Sequence, residues 1–192
     1  EPYPVFHVKA ITHKKNPTYI STIVGIPPKE DYVMGSMTGK LFLPIIQMAI
    51  PEIRDMKMPA EGIFHNLVIV SIKKSYPGQA YKVMYALWGL GLLSLAKIII
   101  VVDEDVDLNN SSELLWRVTN NIAPDRDVIT LKGPTDDLDH TMTSFAFGGK
   151  LGIDATRKIE GESGLKEWPN DIIMSQEIKD LVTNKWETYG LE

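Results

Sequence analysis

The chain contains 192 residues, and its 20 lysines and arginines against 25 aspartates and glutamates give a formal net charge of −5. This acidic balance argues against a general nucleic-acid-binding protein, which needs a basic field to meet phosphates. Hydrophobic residues form 44% of the chain and charged residues 23%, which is typical of one globular domain or two small ones. The chain has no cysteine, so disulfides, thiolate metal ligands and cysteine nucleophiles are excluded.

The sequence also argues against a transmembrane segment. Its most apolar stretch, Ala86 to Val102, is interrupted by two glycines, a serine and Lys97, and it predicts a helix followed by a strand. The first residue is glutamate rather than methionine, and strand-like sequence follows at once. We therefore expect a piece of a longer polypeptide, in the cytosol or peripheral to a membrane.

Two short segments near the amino terminus are rich in β-branched and aromatic residues. They are Val5 to Ala10 and Thr18 to Gly25, and Asn16-Pro17 between them is a turn signal. The pattern predicts a β-hairpin. Because this hairpin has few apolar positions for a core of its own, we interpret residues 1–26 as the end of an upstream domain.

A helix is expected after Pro27-Pro28, since the acidic Glu30 and Asp31 suit a first helical turn. Apolar residues then recur at helical spacing. They are Met34, Met37, Leu41, Ile45 and Met48. Pro44 lies inside this run and predicts a kink or a restart of the helix.

The middle of the chain alternates strand and helix patterns. Strands are expected at Leu67 to Ile72, Lys97 to Val102 and Asp127 to Leu131, with helices starting near Ser75 and Ser111. This order predicts an α/β fold over residues 27–170, a three-layer domain with a short parallel or mixed sheet. Residues 133–170 are interpreted as loop. An amphipathic helix in residues 171–192 would dock on its own domain or on a neighbouring subunit.

Two stretches could carry chemistry. The acidic run Asp103 to Asp107 follows the most apolar strand, where α/β sheets bind ligands, and it could hold Mg²⁺ or a ribose. A solvated loop that caps the next helix is the favoured alternative. Gly148 to Gly152 includes Lys150, but its spacing matches neither phosphate-binding pattern, so a tight turn is favoured. The four histidines lack metal-ligand spacing, and no catalytic constellation emerges.

Several strings together are similar to one family. They are PVFHVKAITHKKNPTYISTIVGIPPKED, PEIRDMKMPAEG, IKKSYPGQAYKVMYALWG, AKIIIVVDEDVD, LLWRVTNNIAPDRD and LGIDATRK. The chain resembles the carboxyl-terminal part of UbiD-type decarboxylases, which include the 4-hydroxy-3-polyprenylbenzoate carboxy-lyases of quinone biosynthesis and the ferulate decarboxylases. The similarity extends over nearly the whole chain.

The resemblance implies a non-oxidative decarboxylase of aromatic or unsaturated acids that uses prenylated FMN with Mn²⁺ and K⁺. In that family the cofactor, the metal ligands and the proton-transferring residues lie upstream, in part on a split-barrel flavin-binding domain. No catalytic, cofactor-binding or metal-binding residue is therefore carried over to this chain, which by itself would be inactive. The implied partners are the upstream domains of the same polypeptide and further copies of it in a homo-oligomer (dimer or hexamer). The implied substrate is a quinone precursor.

One wall of the substrate pocket is the part that the resemblance does carry over. It points to Ile26, Pro27, Met34 and Thr38, and the last two share a helix face at i and i+4. Helix core and a strand-ending turn are the alternative interpretation of these residues. Two other functions stay open: an assembly or binding module, and a free-standing nucleotide-binding domain that uses Asp103 to Asp107.

Overall fold

The chain is described here from a computed structural model that covers residues 3–190. Residues 3–26 are exposed throughout and contain no strand, so the predicted amino-terminal hairpin does not form. A two-stranded hairpin is marginal in water unless a third strand or a helix covers one face. Phe6 and Tyr19, which would supply such a face, are 88% and 89% exposed. The assignment of residues 1–26 to an upstream domain stays a prediction, and residues 1 and 2 lie outside the described chain.

A five-stranded mixed sheet forms the centre of the domain. Its strands are β1 (Ile53–Lys57), β2 (Leu67–Ile72), β3 (Ile98–Asp103), β4 (Val128–Pro134) and β5 (Phe147–Asp154). Their spatial order is β1-β2-β3-β5-β4. The three inner strands are parallel, whereas β1 pairs antiparallel with β2 and β4 pairs antiparallel with β5. The predicted α/β class is confirmed.

The third parallel strand is β5, not the segment that the sequence suggested. The strand expected at Asp127 to Leu131 exists as β4, but it is an antiparallel edge strand. Residues 147–154, which were interpreted as loop, lie between β3 and β4. Three glycines hide the strand pattern there. Gly152 is needed for close packing, because a Cβ atom at this position would lie 2.9 Å from Ile129 Cγ1 and still closer to Met84 Sδ.

Five α-helices accompany the sheet in the described part of the chain. They are α1 (Glu30–Ala49), α2 (Gln79–Trp88), α3 (Ser111–Asn120), α4 (Pro124–Asp127) and α5 (Gln176–Asn184). The first of them continues through Pro44 as one element. Asn110 caps α3 by accepting a hydrogen bond from the Glu113 amide, and Ser175 caps α5 in the same way from Ile178.

Two apolar clusters confirm the three-layer arrangement. Alternate residues of the inner strands, such as Val68 and Ile99, pack with α1 and α2 on one face of the sheet. The intervening residues, such as Ile69 and Val102, pack with Leu114 of α3 on the other face. This alternation is what a sheet covered on both sides requires.

The predicted terminal helix is confirmed as α5, followed by a 3₁₀ turn over Trp186–Tyr189. Every residue from 172 to 190 is exposed, including the apolar Ile178, Leu181 and Trp186. Residues 191 and 192 lie outside the described chain. Within residues 3–190 no helix combines the length and apolarity needed to cross a membrane.

Candidate functional site

The helix α1 is apolar around most of its circumference, yet only one side of it is buried. Gly35, Gly39 and Ile46 face the domain. Seven large apolar side chains on the other sides stay exposed: Val33, Met34, Met37, Leu41, Phe42, Ile45 and Met48. A helix that is apolar on all sides is normally buried on all sides. The outer face of α1 is therefore an exposed apolar surface.

An open cavity of about 400 Å³ lies between α1 and the rest of the domain. Its walls come from α1, from the end of β1, from the turn before β2 and from the 3₁₀ turn Gly91–Leu95. The lining residues are Thr38, Gly39, Phe42, Ile45, Ile46, Ala49, Met56, Met58, Phe64, His65, Leu90, Gly91, Leu92 and Leu93. Cavities of this volume with apolar walls and few polar groups are typical of small-molecule sites.

The structure divides the four predicted wall residues into two groups. Thr38 lines the cavity, and Met34 lies one helical turn before it on α1, with 52% of its surface exposed. Pro27 instead lines a smaller pocket of about 90 Å³ at the start of the helix, next to Ile63. Ile26 is 89% exposed. The four residues thus extend from the segment before α1 to the third turn of the helix.

His65 is a cavity residue that sequence reasoning missed. It is buried, and burial lowers the pKa of its imidazole even though Asp136 opposes that shift. The closest approach is 3.4 Å between His65 Nε2 and Asp136 Oδ2, and neither ring nitrogen has a hydrogen-bond partner among the described residues. The spacing of His65 from the other histidines matches no metal site, and no other sequence pattern marks it. Its place in the cavity wall depends on contacts with α1 that no local pattern reveals.

The acidic run after β3 is held by arginine rather than left free for a ligand. Arg157 makes two hydrogen bonds to Asp105, at 3.0 and 2.9 Å, and its backbone amide donates to Asp103 at 2.8 Å. These bonds lower the pKa of Asp105, whereas burial raises that of Asp103. Glu104 pairs with Arg54 at 3.3 Å. The structural interpretation of the run fits this geometry better than a Mg²⁺ or ribose site.

A network of buried charged side chains lies at the carboxyl ends of the parallel strands. The Lys74 ammonium contacts Glu162 and lies 3.7 Å from Asp154, and these side chains are at most 10% exposed. The Lys158 ammonium lies 3.3 Å from Asp154 and 3.5 Å from Asp127. Burial would raise the pKa of Glu162, but Lys74 holds it below its usual value. Each charged side chain in this network has a partner of opposite charge, so the network is structural.

The glycine-rich run Gly148 to Gly152 is part of β5 and not a phosphate-binding loop or a tight turn. The Lys150 ammonium points to the end of the 3₁₀ turn, where it donates to the carbonyl oxygens of Ser94 and Ala96 at 2.6 and 2.9 Å. Burial lowers the pKa of Lys150 to about 8. Gly133 on β4 leaves room for its methylene groups, because a Cβ atom there would lie 2.8 Å from Lys150 Cε.

Residues 3–190 show neither a cluster of metal-ligating side chains nor a glycine-rich phosphate-binding loop. They contain no group of three or more His, Asp or Glu side chains that could hold a metal ion. Their glycine-rich run lies inside the sheet rather than at a helix amino terminus. No chemical step is therefore assigned to a cofactor held by these residues.

Comparison with known proteins places the chain in a family of decarboxylases. A model of the 3-octaprenyl-4-hydroxybenzoate carboxy-lyase C-terminal domain matches residues 32–155, which is more than half of the chain. The chain belongs to this family, and the resemblance seen in the sequence is confirmed.

Two relatives described as uncharacterized proteins are similar over almost the whole chain. A protein of Archaeoglobus fulgidus is 54% identical over 187 residues, which cover 97% of this chain and 39% of that protein. One of Aquifex aeolicus is 50% identical over 190 residues, with 99% and 39% covered. The chain thus spans about two fifths of the length of these relatives.

Solved structures show the same fold in UbiD-class enzymes. The vanillic acid decarboxylase of Sedimentibacter hydroxybenzoicus in its closed form matches with a TM-score of 0.78 and 29% identity, over 92% of this chain and 37% of that chain. Its open form gives 0.73 at 27% identity, over 93% and 38%. HmfF of Pelotomaculum thermopropionicum in complex with FMN gives 0.64 at 21% identity, over 81% and 34%, and shares the fold.

Proposed function

We propose that this chain is the carboxyl-terminal part of a prenylated-FMN-dependent, non-oxidative decarboxylase of aromatic or unsaturated acids. A quinone precursor of the 4-hydroxy-3-polyprenylbenzoate type is the proposed substrate. The observation that carries the proposal is the match to the vanillic acid decarboxylase, at 29% identity over 92% of the chain. Prenylated FMN, Mn²⁺ and K⁺ would be held by the upstream part of the polypeptide. When bound, the flavin supplies the electron sink for loss of CO₂.

The proposed role of the chain is to form one wall of the substrate pocket. Thr38 lines an apolar cavity, and Met34 and Pro27 follow toward the start of α1. Apolar walls exclude water from the reacting acid and orient its ring, which is what a cofactor-dependent enzyme requires of the protein. The exposed face of α1, including Met37 and Leu41, would meet the upstream domains of the same polypeptide.

Movement of this domain is part of the proposal. The vanillic acid decarboxylase adopts an open and a closed form, and the chain is similar to both. Closure of the α1 side over the flavin would complete the pocket and exclude water. Crystal structures of the complete polypeptide with and without an aromatic acid test this step, and an unchanged domain position in the two structures would contradict it.

The terminal arm is proposed to hold a homo-oligomer, a dimer or a hexamer, together. In α5 and the turn after it, Ile178, Leu181, Val182, Trp186 and Tyr189 form an exposed apolar stripe. A helix of this kind gains stability by docking its stripe in a groove. Deletion of residues 175–192 from the complete polypeptide should therefore lower its mass in light scattering. An unchanged mass would remove this role. The alternative of an assembly module is tested separately, because a stable dimer of the 192-residue chain in size-exclusion chromatography would favour it.

The activity itself is tested with a complete polypeptide. The chain replaces the corresponding 187 residues of the Archaeoglobus fulgidus relative, which are 54% identical. We expect the chimera, loaded with prenylated FMN, Mn²⁺ and K⁺, to release CO₂ from 4-hydroxybenzoates with an apolar 3-substituent. The 192-residue chain with the same additions should release none. CO₂ release by the separate chain, or its absence from both the chimera and the intact relative, would contradict the proposal.

A further inference from the structure

The amino-terminal half of α1, which carries Met34 and Thr38, meets the domain through glycine. Gly35 and Gly39 are buried in that contact. A Cβ atom built on Gly35 would lie 2.7 Å from Phe64 Cδ2 and 3.4 Å from the Phe64 carbonyl oxygen. Because non-bonded carbon atoms pack at about 3.5–4.0 Å, position 35 has no room for a methyl group. The close contact between the helix and Phe64 therefore depends on glycine.

Phe64 contacts the ring of His65 as well as α1. Its ring meets the buried ring of His65 edge-on, with centroids 5.3 Å apart and an interplanar angle of 79°. The preceding residue, Ile63, has a φ of 61°, which a β-branched residue rarely adopts. Gly62 before it is equally confined, because a Cβ atom there would lie 2.8 Å from Leu67 Cβ. This confined turn leads directly into Phe64, the residue that contacts α1 at Gly35.

We propose that Phe64 is a positioning residue that sets the width of the cavity on the Thr38 side and so limits the size of the acid that fits. Phe64 and Thr38 both line the cavity. Any change in the contact between Phe64 and Gly35 moves the helix turn that carries Met34 and Thr38. The inference rests on the proposed function, since it concerns the same pocket wall.

A double-substitution experiment on the 192-residue chain tests the geometry without any activity. Gly35→Ala pushes α1 away from the Phe64 ring, and Phe64→Val removes the δ carbons that the new methyl group would meet. We expect the ¹³C-methyl NMR signals of Met34 and Met37 to move in Gly35→Ala and to return in Gly35→Ala/Phe64→Val. Stability is a poor readout here, because alanine itself stabilises a helix relative to glycine.

Two internal references keep this experiment interpretable. Gly164→Ala is the matched control, because no atom lies within 4 Å of a Cβ built on Gly164. We expect it to leave the Met34 and Met37 signals in place. The Met174 signal, from the exposed segment before α5, should stay constant in every variant. Unmoved Met34 and Met37 signals in Gly35→Ala, or signals that fail to return in the double variant, would overturn the positioning role.

The second arm uses the chimeric complete polypeptide and two acids, 4-hydroxybenzoate and its 3-prenyl derivative. Gly35→Ala is expected to change the ratio of their KM values about tenfold while each kcat stays within about twofold, whereas Gly164→Ala should leave the ratio unchanged. An unchanged KM ratio with intact turnover would overturn the inference and leave the proposed function standing. If neither acid is turned over, the proposed function and the size limit both fail, whereas the methyl signals still report whether Phe64 supports α1.

Discussion

The side chains at the carboxyl edge of the sheet find their partners inside the domain, whereas those on the outer face of α1 are exposed. At the sheet edge, Lys74, Asp154 and Lys158 are at most 3% exposed, and each has an opposite charge within 4 Å inside the same domain. On α1, Met37 and Met48 are 63% and 86% exposed, and nothing in the described chain covers them.

The difference separates what this domain completes for itself from what it leaves to a partner. A buried charge needs its partner in place when the domain folds, because the cost of burying it unpaired is several kcal/mol. An exposed apolar side chain costs the folded domain little, and it stabilises whatever later covers it. The sheet edge therefore contributes to the stability of the domain itself, whereas contact of the α1 face with the rest of the polypeptide stays a proposal.

The largest effect is expected from removing a cation from the network of buried charged side chains. Lys74→Met leaves Asp154 and Glu162 without their shared ammonium in a site closed to water. We expect the free energy of unfolding to fall by about 3–5 kcal/mol. Urea denaturation followed by circular dichroism measures this loss. The matched control is Lys73→Met, since the neighbouring lysine is exposed, and it should change stability by less than about 0.5 kcal/mol. Similar losses in both variants would contradict the distinction between the two regions.

The next largest effect concerns the packing of β5. Gly152→Ala places a methyl group against Ile129 Cγ1 and Met84 Sδ, so we expect a loss of about 1–3 kcal/mol from overpacking. Gly149→Ala in the same strand is the control, because no atom lies within 4 Å of its Cβ position. Equal urea midpoints for the two variants would show that the sheet accommodates side chains at Gly152.

The same glycine explains how far the sequence could predict the fold. The inner strands β2 and β3 were predicted at Leu67 to Ile72 and Lys97 to Val102, because both segments are short and mostly apolar without alternation. This pattern is typical of strands that are covered on both faces. In β5 the close approach of Met84 demands glycine at position 152, and glycine removes the very pattern by which a strand is recognised.

The candidate site was predictable only where it depends on one helix. The spacing of Met34 and Thr38 follows from helical periodicity, and the structure places both on α1. His65 and Leu90 join Thr38 in the cavity through contacts across 27 residues or more of sequence. Such contacts are set by the packing of α1 on the sheet, which local patterns do not encode. The assignment of the four wall residues to a substrate pocket stays a proposal.

A smaller effect is expected from the ion pair between Lys97 and Asp139, where Lys97 lies just before the start of β3. Lys97 and Thr141 hold the pKa of Asp139 at about 2, against an ordinary value of 3.8. A lowered carboxyl pKa stabilises the fold above the unfolded value, and that contribution is lost as the pH falls from about 4 to 2. Asp139→Asn should therefore cost about 1 kcal/mol at pH 5, since Lys97 is partly exposed, and clearly less at pH 2, where the carboxyl of the folded chain is partly protonated. Urea midpoints at both pH values measure this, with Asp137→Asn as the exposed control. An equal cost at both pH values would show that the loss is not electrostatic.

The smallest effect is expected on the outer face of α1, and it decides the comparison. Met48→Ser removes an apolar side chain that is 86% exposed, so the unfolding free energy of the 192-residue chain should change by less than about 0.5 kcal/mol. Ile46→Ser, two residues earlier and 6% exposed, should cost several times more, because it faces the core. Both are measured at two protein concentrations tenfold apart. If Met48→Ser destabilised the chain, and did so more at the higher concentration, the outer face of α1 would already be covered by a second copy. Its role as the surface for the upstream domains would then be lost.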